Sequence, residues 1–117
     1  MNILIILNDP PYGSERIYNA LRLAHALAKQ DVDTQTEVFL MADAVIAARK
    51  GQKTPDGYYN VERMLKRVLT GKGRVLLCGT CMDARGLVET DVMDGAERST
   101  MDELARLTAT SDKVLVF

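Results

Sequence analysis

Arg74-Val75-Leu76-Leu77-Cys78-Gly79-Thr80-Cys81-Met82-Asp83-Ala84-Arg85-Gly86 decides how this chain is read. Its opening residues form a short, mostly apolar run, set off upstream by Gly71 and Gly73. Such a run reads as a buried strand. Cys78 then falls where the strand ends and the chain turns. In parallel α/β sheets, reactive groups gather at the carboxyl ends of the strands. The first cysteine therefore stands where chemistry is expected, and the second follows within one turn.

Working outward, the same pattern recurs. Ile3 to Leu7 is continuously apolar and reads as a central strand covered on both faces. Asn8-Asp9-Pro10-Pro11-Tyr12-Gly13 stops it, because prolines and glycine are poor continuations of a ladder. Ser14 is a good N-cap for a helix whose apolar side is Ile17, Leu21, Ala24 and Ala28. Val38 to Met41 reads as a second strand. Asp43 is placed to cap a short helix over Val45, Ile46 and Ala47, which Gly51 closes. Asn60 begins another helix with Val61, Met64, Leu65 and Val68 on one face and Gly71 as its stop. After the cysteine segment, Leu87-Val88 is expected as a very short strand. Thr100-Met101-Asp102-Glu103 matches a capping box, and Val114 to Phe117 reads as a final buried strand. Strands alternating with helices imply right-handed crossovers and an α/β fold of three layers, α/β/α and Rossmann-like. Its sheet is mostly parallel, with four to five strands.

Composition narrows the function classes. A chain of 117 residues, 47% hydrophobic and 26% charged, has the make-up of one globular domain spanning residues 1–117. A formal net charge of -1 gives no electrostatic reason to expect a nucleic-acid partner. Lys66, Arg67, Lys72 and Arg74 cluster locally, as on a solvated helix face and loop. Met1-Asn2 leads straight into the first strand, with no basic leader and too short an apolar run to span a bilayer. A cytoplasmic location without membrane association is expected. In a reducing compartment two cysteines point to burial, metal binding or catalysis more than to a structural bridge.

Cys78 and Cys81 admit several readings. Free cysteine is often a small core residue, although the Gly, Thr and charged neighbours here are not core-like. Structural zinc needs about four ligands, and the chain has two cysteines and one histidine, so no metal or other cofactor is expected. A dithiol redox centre and a single-cysteine sulfur carrier both remain. Each needs an activated thiolate, whose pKa falls near a helix N-terminus or a cation. A helical turn at Met82 to Arg85 would turn free N–H groups toward Cys78. Arg85 would add positive charge, unless it is taken up by Asp83 or Glu89. Gly79 and Thr80, in the loop itself, are candidate binding positions. The turns after the first and third strands leave the same sheet edge, so Asp9, Pro11 and Tyr12 are expected to wall a pocket beside the cysteine loop. His25, mid-helix and without partners, is expected to be structural.

Three stretches resemble the DsrE/DsrF-like family, which includes the TusD-type sulfur-relay subunits. Ile5 to Ser14 looks like the family's strand and Pro-Tyr-Gly turn. Cys78 with Arg85-Gly86 looks like its active cysteine and Arg-Gly pair. Ser111 to Phe117 is similar to its closing strand. The resemblance implies a three-layer subunit, assembly into homotrimers or homohexamers, and a persulfide carried on Cys78, with protein sulfur donors and acceptors as partners. Cys81 departs from the relay subunits, where that position need not be cysteine. It could resolve a Cys78 persulfide or make the protein a redox variant. The leading expectation is a sulfur carrier. Its alternatives are a small oligomeric ligand-binding protein, with its pocket between Asp9–Tyr12 and the cysteine loop, and a Cys-x-x-Cys redox protein.

Overall fold

Asn2–Leu7 (β1), Gln35–Leu40 (β2), Arg74–Cys78 (β3), Ala96–Ser99 (β4) and Lys113–Val116 (β5) lie side by side in the order β4-β3-β2-β1-β5, and every neighbouring pair is parallel. This is a computed structural model that describes residues 1–117. The helices are Arg16–Gln30 (α1), Val61–Thr70 (α2), Gly79–Ala84 (α3) and Met101–Thr110 (α4), with 3₁₀ segments at Ala42–Ala48, Pro55–Gly57 and Glu89–Asp91. The architecture is a mixed α/β fold, a five-stranded parallel sheet flanked by helices.

Strand alternation assigns the layers. Ile3, Ile5 and Leu7 register with Thr36, Val38 and Leu40, and this face meets the adjacent helices α1 and α2. The opposite face carries Leu4, Phe39, Leu76 and Cys78 and is covered by α4, whose buried residues are Leu104 and Leu107. Arg74 ties the layers together on that side, with Glu37 at 3.5 Å and Glu97 and Glu103 at 3.3 Å. Cys78 belongs to the 28-residue apolar core.

The Asn60 and Thr100 caps act as expected, whereas the capping box stays half-formed and Ser14 is not the cap of α1. The Asn60 side chain accepts the Arg63 N–H at 3.0 Å and starts α2, and Gly71 closes it. Thr100 accepts the Glu103 N–H at 3.2 Å and starts α4. The Glu103 carboxylate completes no box; it turns to Arg106 and Arg74 instead. Ser14 lies one residue before the cap position, Glu15, and still accepts the Arg16 N–H at 3.2 Å.

Four expectations are corrected. Leu87-Val88 forms no strand; the fourth strand is Ala96–Ser99. Its Glu97 and Arg98 suit a sheet edge, where polar side chains discourage further pairing. Asp43 caps nothing, because it sits inside the 3₁₀ segment after Met41 and gives its carboxylate to Arg85. The last strand is not buried. It is the opposite sheet edge, and Val116 is 65% exposed there. The helical turn expected at Met82 to Arg85 begins earlier, at Gly79, and ends before Arg85. No helix is long and apolar enough to cross a membrane.

Candidate active site at the Cys-x-x-Cys turn

β3 ends on Cys78, which is also the N-cap of α3. The helix thus starts inside the motif. The first N–H groups of any helix lack intrahelical partners, and here the Thr80 and Cys81 amides turn toward the Cys78 sulfur. The Thr80 hydroxyl lies 3.2 Å from the same Sγ. Both thiols are free.

The two thiols have unequal surroundings. Burial pushes the Cys78 thiol up, but hydrogen bonds from the Cys81 thiol, the Thr80 hydroxyl and the two amides outweigh it and hold the pKa below the ordinary value. For Cys81, burial and the hydrogen bond it donates to Cys78 push the pKa up, against help from the Ala42 N–H and Arg85. The Ala42 N–H reaches the Cys81 sulfur at 3.2 Å. Ala42 holds a left-handed backbone (φ 50°) at this contact, a conformation unusual for a residue with a side chain. Cys78 is the sulfur poised to ionise, and Cys81 is the thiol that donates to it.

Cys78 stands at the strand end where ligands gather, yet it is only 6% exposed. Alternation points Cys78 to the α4 side, beside Leu76. Its surroundings are nonetheless polar at the sulfur itself.

Arg85 is placed differently from expectation too. It pairs with neither Asp83 nor Glu89. Its Nε donates to Asp43 at 2.9 Å and another N–H donates to the Cys81 carbonyl at 3.0 Å, so its charge stands beside Cys81. The cation that senses Cys78 is Arg98. Asp83 grips Arg98 through two bonds of 2.8 and 2.9 Å, and the guanidinium lies against Gly79. A Cβ at Gly79 would sit 2.9 Å from that guanidinium carbon, so only glycine leaves the arginine its place. Sequence reasoning missed Arg98 because it rides on the polar edge strand, and missed Ala42 because a backbone N–H carries no side-chain signal.

The proline turn is not part of this site within the chain. β2 lies between β1 and β3, and the loop after β2 is what meets the cysteines. Asp9 accepts the Ser14 hydroxyl at 2.7 Å, with Arg16 at 3.7 Å. Pro11 is buried, and Tyr12 donates to Gln52 and accepts the Val61 N–H at 3.2 Å. The expected pocket between Asp9–Tyr12 and Cys78 is therefore absent; the turn instead walls a cleft with residues 53–61. That loop is anchored by Glu62, 6% exposed, which accepts the Gly51 and Gln52 N–H groups at 3.0 Å each.

The sequence profile of the DsrE/DsrF-like family matches residues 1–117. The chain belongs to that family. The family includes sulfur-relay proteins. Among relatives, Protein YchN of Escherichia coli strain K12 is 45% identical over 115 residues, covering 98% of this chain and 97% of its own. Uncharacterized protein MJ0989 of Methanocaldococcus jannaschii is 35% identical over 117 residues, 100% of both chains. The crystal structure of the E. coli ychN protein superposes with a TM-score of 0.94 at 44% identity, covering 100% of this chain and 99% of that one. A Methanobacterium thermoautotrophicum protein of unknown function, MTH1491, superposes at 0.73 with 14% identity, covering 99% and 97%, and shares the fold alone.

The thiol asymmetry has a measurable consequence. Alkylation of Cys78 against pH is expected to titrate below the ordinary thiol value of about 8.5, and Cys81 above it. Thr80→Val should move the Cys78 midpoint up. The linkage follows in sign: ionised Cys78 stabilises the folded chain above about pH 8.5, the unfolded thiol's value, and this is lost as pH falls through the lower folded one. A Cys78 that titrates like a free thiol, unmoved by Thr80→Val, would remove the asymmetry.

Proposed function

We propose that this protein is a cytoplasmic sulfur carrier that holds a persulfide on Cys78. The observation that supports it most is the unequal pairing of the two thiols. The thiolate is the nucleophile in such chemistry, and only one of the pair is held toward ionisation.

The Cys78 thiolate attacks the outer sulfur of a donor persulfide. A new S–S bond forms at Cys78, the donor's S–S bond breaks, and the electron pair leaves on the donor thiolate. In the second transfer an acceptor thiolate attacks the outer sulfur and Cys78 leaves as thiolate. No net oxidation occurs. The same amides and hydroxyl that lower the Cys78 pKa also make it a better leaving group.

Cys81 offers a competing exit. Its thiolate attacking the inner sulfur would close a Cys78–Cys81 disulfide and expel hydrosulfide, and a thiol reductant would then be needed to reset the pair. Its raised pKa keeps it protonated and slows that exit, which favours transfer. Burial of Cys78 works in the same direction, because it shields the persulfide from solvent thiols until a partner docks.

A homo-oligomer fits this reading. The β5 edge leaves Val114 and Val116 uncovered, and exposed apolar edges invite pairing with another chain. Light scattering is expected to give a mass three or six times 12.9 kDa; a monomer would remove this part.

The function itself is tested by incubating the reduced chain with a sulfane-sulfur donor and recording its intact mass. One added sulfur atom, lost again on thiol reduction, is expected. A disulfide with no added sulfur would instead favour the dithiol redox reading, which the close approach of the two thiols also permits.

A further inference from the structure

Between α1 and α2 runs a groove lined by basic side chains. Its middle is a hollow of about 370 Å³ with Arg22 and His25 on one wall and Arg63 and Arg67 on the other. His25 and Arg67 also wall the next compartment, about 260 Å³, with Lys29. No Asp or Glu lines either hollow.

This is unusual for a chain of net charge -1. Five of the arginines elsewhere, Arg16, Arg74, Arg85, Arg98 and Arg106, each hold a carboxylate, and Arg49 does not. Arg22, Arg63, Arg67 and Lys29 have none within ion-pair distance, although Arg22 donates to Asn19 at 3.1 Å. Like charges held together without a counter-charge repel one another. Such a cluster focuses a positive potential in the cleft between its walls. Thr36 adds an independent sign. It is 5% exposed, it lines the inner compartment, and its hydroxyl has no hydrogen-bond partner. Buried hydroxyls are ordinarily satisfied, and this one, at the wall of the compartment, is not.

At its other end the groove opens past Tyr18 and Tyr59 into a cleft of about 660 Å³, within the usual size of a small-molecule site. All four tyrosines of the chain line it. The Tyr58 and Tyr59 rings meet edge-on at 5.3 Å, and Tyr12 and Tyr59 at 6.4 Å. Tyr58 is 70% exposed, so aromatic surface is left without a partner. Planar rings pack well against such surfaces.

We propose that this groove binds a nucleotide-class ligand, a planar heteroaromatic ring among the tyrosines with its phosphates on Arg22, Arg63 and Arg67. Guanidinium groups suit phosphate because their donors match its oxygens in pairs. The site is separate from the Cys78 turn, since no residue of the cysteine motif lines any of the three hollows. Either reading can therefore fail alone.

Isothermal titration of the full chain with ADP, adenosine and inorganic pyrophosphate tests it. ADP is expected to bind roughly tenfold or more tightly than either fragment, because each half raises the effective concentration of the other. Arg63→Gln combined with Arg67→Gln should weaken ADP and pyrophosphate roughly tenfold or more and spare adenosine. Both side chains are exposed, so the fold should hold, which circular dichroism checks. Tyr59→Ala should weaken ADP and adenosine and spare pyrophosphate. Cys78→Ser should change none of these. ADP binding no tighter than the fragments, or binding indifferent to the arginine pair, overturns the proposal. So does binding of an oligoribonucleotide with none of ADP.

Discussion

Cys78→Ser is expected to take up no sulfur from a sulfane donor, while Cys81→Ser takes up one atom and keeps it longer than the unaltered chain. The first effect is total because a serine hydroxyl stays protonated where the thiol ionises, and an alkoxide has no stable persulfide counterpart. The fold should survive. Serine nearly matches the cysteine in size, and the Thr80 hydroxyl and the α3 amides still have an acceptor. In Cys81→Ser the hydroxyl can still donate to Cys78 and accept the Ala42 N–H. The lowered Cys78 pKa is thereby largely kept, while the route to an internal disulfide is gone. Intact mass over time after removal of the donor reads both effects. Sulfur retained on Cys78→Ser would move the acceptor to another atom, and equal retention times with and without Cys81 would remove its role as an exit.

Much of this site was legible because strand ends are. Val75 to Leu77 is apolar on both faces, as suits a strand inside a covered parallel sheet, and its end therefore located Cys78. The Asn60 and Thr100 caps were legible for a similar reason, since their side chains bond to backbone three residues away. What the sequence hid was set by distant pairing. β4 is too polar to read as a strand, yet register with β3 sets Arg98 opposite Leu77, close enough to lie over Gly79. Arg85 had carboxylates nearby in sequence and chose Asp43 across the loop after β2. The proline turn and the cysteine turn do leave the same sheet edge, but strand order decides adjacency, and β2 stands between them. Burial of Cys78 was hidden too. Alternation sets the face of an end residue, but whether that face is covered depends on the path of the last helix, which links edge strand β4 to the opposite edge strand β5.

That returning helix makes Phe39 the residue on which the buried face depends. Phe39→Ala is expected to lower stability by about 3–5 kcal/mol, against a typical total of about 5–15 kcal/mol. Phe39 is 1% exposed on β2, the middle strand, between Ile6 of β1 and Leu76 of β3. Its flanking strands are held by hydrogen bonds on both sides and cannot close a hole beneath them. The layer above is a single ten-residue helix that buries only Leu104 and Leu107. A lower urea midpoint at unchanged slope would report the loss. Phe39→Leu, which keeps most of the volume, should cost about 1 kcal/mol. An alanine variant within about 1 kcal/mol of the parent would mean that α4 settles onto the gap. Cys78 lies two residues beyond Leu76 on the same face of the sheet. Loosening that layer should therefore speed alkylation of Cys78 at fixed pH without shifting its titration midpoint, because access is set by the cover and ionisation by Thr80, Cys81 and the first amides of α3. A midpoint that moved with the rate would mean that burial, not hydrogen bonding, governs the thiol.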